Sequence, residues 1–163
     1  RRSSDLIGTD PSKKSYNGLN EIARTFNKGI LFDEFKDIEI YNQCAEDWIP
    51  MRKVDLVFTS PPYFDCEKYS DEPTQSYLRH PTREKWTEGF LREMIKGCKI
   101  IMKDDAKMIL NIANTTKHKW IEEETIRVAS EEGFELEDTL HLVLSSIAGK
   151  GVKTEPVFIF GQK

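Results

Sequence analysis

The segment Val54-Asp55-Leu56-Val57-Phe58-Thr59-Ser60-Pro61-Pro62-Tyr63-Phe64 decides the fold. Val54 to Phe58 is short, mostly apolar, and β-branched or aromatic at most positions, the composition of a strand buried in a sheet. Proline has no N–H to give to a central ladder, so the strand must stop before Pro61 and Pro62. A buried strand that ends in a rigid polar turn is the pattern of the carboxyl edge of a parallel sheet, where α/β proteins hold their ligands.

Upstream, Leu6 to Thr9 reads as a short strand, and Asp10-Pro11 as N-cap and first residue of a helix with Tyr16, Leu19, Ile22, Ala23 and Phe26 on one face, ending before Gly29. Residues 38–41 alternate like a strand and break at Cys44-Ala45-Glu46-Asp47. Downstream, residues 61–81 form a polar stretch with little period, a length that in a compact domain marks a binding loop. Thr82 then opens a helix with Trp86, Phe90, Leu91, Met94, Cys98 and Ile101 at helical spacing, followed by a buried strand over 107–112. A second helix over 120–132 stops at Gly133, and strands at 140–144 and 156–160 follow. The Gly/Lys-rich connection 145–155 is short enough for a hairpin, so the sheet should end in an antiparallel pair. Together these elements predict an α/β fold with a doubly wound, mostly parallel sheet, in one domain spanning residues 1–163. Three loops leaving parallel strands should meet at one edge: Asp10-Pro11, residues 44–47 and residues 59–63.

Length and composition agree with that reading. A chain of 163 residues with 38% hydrophobic and 10% aromatic residues has the material for one core and is too apolar for a disordered chain. Apolar runs such as Val157 to Phe160 are far short of the roughly 20 residues that cross a bilayer. The net charge of −4 argues against polyanion binding by the whole surface, so a nucleic-acid partner needs a local basic patch; Lys117, His118, Lys119, Lys150 and Lys153 are the best candidates. Cys44, Cys66 and Cys98 are widely spaced and odd in number, which suggests neither a disulfide framework nor a zinc site and points to a reducing, cytoplasmic setting.

Thr59-Ser60-Pro61-Pro62-Tyr63, on its strand, resembles the (S/D/N)-P-P-(Y/F) signature of the S-adenosylmethionine-dependent amino methyltransferases, which methylate N6 of adenine or N4 of cytosine in DNA, with relatives acting on RNA and protein amides. The order of elements agrees over nearly the whole chain. The resemblance implies a Rossmann-like methyltransferase sheet, S-adenosylmethionine as cofactor and no metal. The chemistry accounts for the residues. An exocyclic base amine is a poor nucleophile because its lone pair is delocalised into the ring; acceptors at the amine hydrogens, here the Ser60 hydroxyl and the Pro61 carbonyl, favour a pyramidal nitrogen and stabilise the positive charge that grows as it attacks the methyl group in line. Pro61 and Pro62 fix the backbone without a competing N–H. Tyr63 and Phe64 are expected to offer a face on which a flipped-out base stacks.

The resemblance also implies that Asp10, at the end of its strand, hydrogen-bonds the cofactor ribose, although the same residue can serve only to cap its helix. Cys44, Ala45 and Glu46 correspond to the loop that touches the cofactor adenine; families often carry an acid where this chain has Cys44, so Glu46, Asp47 or backbone groups alone take that part. In the loop 61–81, Tyr69 and Arg79 are candidates for contacts to base or phosphate, against the bland reading of a solvated loop.

One family feature is missing: a Gly-rich loop between the first strand and first helix. Nothing before Leu6 supplies it, so the N-terminal strand and its loop are expected outside these residues, leaving a partial catalytic domain. Ser60 in place of Asp leans toward cytosine N4. The expected activity is methyl transfer to a DNA base amine; the alternatives are an RNA or protein-amide acceptor, or a degenerate, non-catalytic binding module.

Overall fold

The computed structural model describes residues 5–27, 38–144 and 153–163. Phe26, Gly29, Lys150 and most of the expected hairpin loop are outside what is described at side-chain level. Strand β1 (Leu6–Thr9) leads to helix α1 (Lys13–Asn27), and β2 (Ile38–Tyr41) pairs with β1 in parallel, Gly8 opposite Ile40. The expected cap of α1 needs correction. Asp10 does not sit at the N-cap, because the helix begins at Lys13 and Ser12 takes the cap, its hydroxyl accepting the Ser15 N–H at 3.5 Å, while the carbonyls of Asp10 and Pro11 accept from the Asn42 side chain at 3.0 Å each. The Asp10 carboxylate instead accepts the Ser12 N–H at 2.8 Å, and the Ser12 carbonyl takes the Tyr16 N–H that opens the helix.

A short 3-10 helix (Ala45–Asp47) follows β2, and β3 (Val54–Thr59) ends, as its prolines require, at Ser60. Residues 61–81 are not wholly irregular: they contain one turn of helix, α2 (Ser76–Arg79). Thr82 caps α3 (Arg83–Trp86) by accepting the Lys85 N–H, and the chain continues helically through a π segment (Thr87–Arg92) into α4 (Glu93–Ile101). The widened turn in mid-helix was not legible from spacing; it coincides with Gly89, where an added Cβ would lie 2.5 Å from His80 Nδ1. The imidazole of His80 thus packs onto the helix where a side chain is missing, and this fixes the end of the long loop.

Strand β4 (Met102–Asn111) begins earlier than expected, α5 (Ile121–Glu131) lies inside its predicted bounds, and Gly133 ends it at a φ of 87°, a backbone conformation that only glycine adopts freely. β5 (Phe134–Leu144) and β6 (Lys153–Gln162) are both longer than expected and pair antiparallel, and β6 also pairs antiparallel with β4.

The sheet falls into two hydrogen-bonded parts among the described residues: β1-β2, and the order β3-β4-β6-β5. On one face, Met108 and Leu110 of β4 stand opposite Phe160 and Phe158 of β6, and all four are buried in one cluster with Trp86, Leu91, Ile95, Ile121 and Val128 of the helices. On the other face the register aligns Phe58 with Ile109 and Ile109 with Ile159; here Phe58 is 67% and Leu56 53% exposed, so β3, at the end of its hydrogen-bonded sheet, is not the buried strand that its composition predicts. Arg92 ties the helical layer together, reaching Glu88, Glu131 and Glu132, each at 2.5 Å.

Leu110 is fully buried at the centre of the cluster. Leu110→Ala is expected to lower the unfolding free energy by roughly 2–5 kcal/mol, read from urea unfolding, whereas Leu56→Ala on the open face is expected to change it by much less.

Candidate active-site cleft

The three loops predicted to share the carboxyl edge do meet there. A cleft of about 370 Å³ is walled by Thr9, Asp10 and Ser12 from the end of β1, by Ala45 and Glu46 from the 3-10 helix, and by Thr59 to Pro62 from the end of β3. Its floor includes Phe90 and Met94, and its remaining wall comes from the long loop through Tyr69, Thr74, Gln75 and Ser76. The volume is that of a small-molecule site.

Within the motif, Ser60 is exposed and Pro61 buried, so a hydroxyl and a carbonyl-bearing rigid wall come from adjacent residues. The two aromatic residues that follow point away from the role expected of them. Phe64 is 8% exposed, and its ring meets Trp86, His118 and Trp120 edge-on at centroid distances of 5.9, 5.1 and 5.7 Å. It offers no free face to a base, which corrects its assignment to substrate. To reach the core it adopts a φ of 58°, a left-handed conformation that costs a non-glycine residue about 1–3 kcal/mol and persists only where burial outweighs it. Tyr63 is half-buried and does not line the cleft; its hydroxyl reaches Glu155 Oε2 at 3.2 Å and the Asn111 carbonyl at 3.4 Å. It braces the turn against β4 and β6. Tyr69, by contrast, lines the cleft and is 62% exposed, its hydroxyl held by Glu67, so the aromatic face available at the cleft is the one from the long loop.

Asp10 faces the cleft, and burial raises its pKa while the Ser12 N–H opposes that and Glu72 adds to it. Cys44 is buried, does not line the cleft and donates its thiol to the Thr74 carbonyl at 3.7 Å. Burial, reinforced by Glu46, pushes that thiol up, so it is a packing group and not a ligand-reading acid. Ala45 and Glu46 do line the cleft. Arg79 is not free for phosphate: it pairs with Glu46 and, at 2.8 Å, with Asp47. Most of the expected basic spots are likewise spoken for. Lys117 pairs with Asp65, Lys153 with Glu155 at 3.2 Å, and His118 is buried with Nε2 2.6 Å from Asp65 Oδ1. Lys117 foremost holds the Asp65 carboxyl below its ordinary range. Asp65, Cys66 and His118 bring possible ligand atoms within 4.8 Å of one another, but in this structure the carboxylate is satisfied by Lys117 and His118.

Sequence reasoning missed Thr74, Gln75 and Ser76. Their signal was weak, since small polar residues in a long loop read as solvated. The structure buries Gln75 and Ser76 to 5% and 7% exposure, and the Thr74 and Ser76 hydroxyls have no hydrogen-bond partner.

Two tests follow from this geometry. Phe64→Ala is expected to destabilise the fold by about 3–5 kcal/mol in urea unfolding, as loss of a buried ring should, and a change under about 1 kcal/mol would show that the ring is no anchor. Burial, with the Glu155 carboxylate beside it and Ser60 pulling the other way, pushes the Tyr63 phenol up from 10.0 to about 12. A raised folded pKa makes this contribution fully present below the unfolded value and lost as pH rises from about 10 to about 12. Wild type should lose stability over that interval, and Tyr63→Phe should lose less, measured by thermal unfolding at stepped pH.

No family model and no curated protein sequence matches the chain. Solved structures do. One of an S-adenosylmethionine-dependent methyltransferase from Clostridium acetobutylicum aligns with a TM-score of 0.63 at 9% identity, over 97% of this chain and 75% of that one. A protein from Pyrococcus horikoshii proposed to be an RNA methyltransferase aligns at 0.58 and 16%, over 97% and 63%. Magnesium protoporphyrin IX methyltransferase from Synechocystis PCC 6803, solved with bound S-adenosylmethionine, aligns at 0.56 and 14%, over 98% and 60%. The chain therefore spans less than two thirds of the length of the last two. At these identities the likeness is one of fold, and the fold of this chain is the Rossmann-like fold of the S-adenosylmethionine-dependent methyltransferases.

Proposed function

We propose that this chain is the acceptor-amine and nucleoside half of an S-adenosylmethionine-dependent methyltransferase that modifies an exocyclic base amine in DNA, cytosine N4 or adenine N6. The observation that carries the reading is the placement of Ser60 and Pro61, at the carboxyl end of β3, in the same cleft as Asp10 at the carboxyl end of β1. The residues suit a nucleoside cofactor: Asp10 is a carboxylate suited to vicinal hydroxyls, and the floor beside it, Phe90 and Met94, is apolar. When bound, S-adenosylmethionine supplies an electrophilic methyl group. The Ser60 hydroxyl and the Pro61 carbonyl accept from the acceptor amine and draw its lone pair out of conjugation; Pro61 and Pro62 hold these acceptors rigid; Tyr69 stacks on the base. Tyr63 and Phe64 position the turn and do not touch the acceptor.

A second reading has an RNA or protein-amide acceptor. The net charge of −4 and the internal pairing of Lys117, Lys153 and Arg79 favour the protein-amide acceptor over either nucleic acid, and the RNA acceptor has in its support the fold likeness to the Pyrococcus protein, an RNA methyltransferase by proposal.

The test is transfer of labelled methyl from S-adenosylmethionine, by the protein that contains this chain, to single- and double-stranded DNA and to RNA. Ser60→Ala is expected to lower turnover about a hundredfold on the true acceptor, because one preorganised polar group at the reacting atom is lost. Label appearing only in RNA would select the second reading, and equal turnover by wild type and Ser60→Ala would remove the proposed role of the motif.

A further inference from the structure

Asp65, Cys66 and His118 bring a carboxylate oxygen, a thiol sulfur and an imidazole nitrogen within 4.8 Å of one another, and none of the three lines the cleft. Asp65 and His118 are 53 residues apart, so no local spacing of ligands announces the cluster. Both sides of it are held by bonds that do not involve the three atoms. On one side the Cys66 N–H donates to the Tyr63 carbonyl at 3.3 Å, closing the turn that carries Asp65 and Cys66. On the other, the Thr115 N–H donates to the His118 carbonyl and the His118 N–H to Thr115 Oγ1, both at 2.9 Å, and the His118 ring stands edge-on to Phe64 and Trp120 at 5.1 and 5.7 Å. A buried imidazole is thereby aimed at a partly exposed carboxylate and an exposed thiol.

Ion pairing alone accounts for two of these groups. Asp65 Oδ1 lies 2.6 Å from His118 Nε2, and Oδ2 pairs with Lys117. That arrangement gives no role to the Cys66 thiol, which donates to Thr115 Oγ1 at 3.4 Å. A cation between the three atoms uses all of them. With bonds of about 2.0 Å to nitrogen and oxygen and about 2.3 Å to sulfur, the donor atoms of a tetrahedral site stand roughly 3.3–3.5 Å apart. The spacing here brackets that range: the imidazole and carboxylate are closer, and no pair is farther than 4.8 Å. Small rotations of the Asp65 and Cys66 side chains bring the set to it. The Lys117 side chain is 65% exposed, so its ammonium leaves Oδ2 for water without uncovering the core. One sulfur, one nitrogen and one carboxylate also select the ion. Calcium and magnesium take about six or more oxygens, whereas zinc accepts this mixed set.

We propose that Asp65, Cys66 and His118 form a mononuclear site for a borderline-soft divalent cation of the zinc type, its fourth position open to solvent beside the exposed thiol. The thiol binds as thiolate and gives its proton to solvent, and the Lys117 ammonium is released from the carboxylate. Because Asp65 and Cys66 follow directly on the turn from Ser60 to Phe64, the ion ties that turn to the loop after β4. The site is a clamp outside the cleft, and it stands apart from the reading of methyl donor and acceptor.

The experiment is titration of the full chain, stripped of metal by a chelator and kept reduced, with Zn²⁺ against a chromophoric competitor and with Co²⁺ followed by absorption. Wild type is expected to bind one Zn²⁺ with a Kd of about 1 μM or below, to gain thermal stability from it, and to give with Co²⁺ the near-ultraviolet charge-transfer band of a cobalt–thiolate bond. Cys66→Ser, a change on an exposed side chain, is expected to keep the fold by circular dichroism, to lose the band and to bind Zn²⁺ about tenfold more weakly or worse. Lys117→Ala, which removes the competing ammonium and no ligand, is expected to bind about twofold to fivefold more tightly. A wild type that does not saturate would overturn the proposal, and so would a cobalt–thiolate band that survives in Cys66→Ser, which places the sulfur at Cys44 or Cys98. Unchanged affinity in Cys66→Ser, or weaker binding by Lys117→Ala, would do the same: the first shows an ion held elsewhere, the second a lysine that braces the cluster and does not compete for it.

Discussion

The motif turn depends on one buried ring. Phe64 leaves the Pro-Pro segment in a left-handed conformation and inserts between Trp86, Trp120 and His118. Burying a phenyl ring stabilises by roughly 1.5–3 kcal/mol, enough to offset the backbone strain, and the edge-to-face geometry of its neighbours adds to that. Because His118 is in turn held by Asp65, the residue after Phe64, the turn is closed on itself across the fold: ring into core, carboxylate onto the histidine beside that core. Ser60 and Pro61 are thereby presented to the cleft from a rigid base, without a hydrogen-bonded strand continuing past them.

The long loop is divided between two anchors. Its first part is pinned by Phe64, Asp65 and Tyr63 to β4, β6 and the helical layer; its second part is pinned by Glu72, Thr74 and Arg79 to the segments after β1 and β2. A single stretch of chain, held at two anchors, therefore supplies Tyr69, Thr74, Gln75 and Ser76 to the cleft. Tyr69 sits between the anchors, which is why it is the aromatic residue left exposed to the cleft. The ion pairs that fasten the second part also hold Arg79 on Glu46 and Asp47, so the cleft is lined by hydroxyl-bearing residues, Asp10, Glu46, Gln75 and apolar side chains, with no lysine or arginine among them. That lining suits neutral parts of a nucleoside better than phosphate.

Much of this was legible before the structure. The Val54 to Phe58 run, the two prolines, the alternation of residues 38–41 and the glycine at 133 located their elements because each acts through local backbone geometry: pleat period, a missing N–H, a positive φ. The antiparallel end of the sheet followed from a short connection between two apolar strands. The errors have one physical cause. Local patterns make Asp10 a helix cap and Phe64 a base-stacking face, and partners 22 to 56 residues away override both: Asn42 holds the carbonyls of Asp10 and Pro11 ahead of the helix, which Ser12 caps, and Trp86, His118 and Trp120 take the Phe64 ring.

The sequence by itself determined that the chain is α/β, that its third strand ends in a rigid Ser-Pro-Pro turn, and that this turn shares an edge with Asp10 and the loop after the second strand, since these follow from period and from the chemistry of proline. Only the tertiary structure decided which side chains of the long loop face the cleft. Tyr63, Phe64 and Arg79 are drawn away by Glu155, by the aromatic cluster and by Glu46 with Asp47, while Tyr69, Thr74 and Ser76 are left toward it. Such a choice is made by distant partners that bury a ring or satisfy a charge, and no local pattern of residues carries that information.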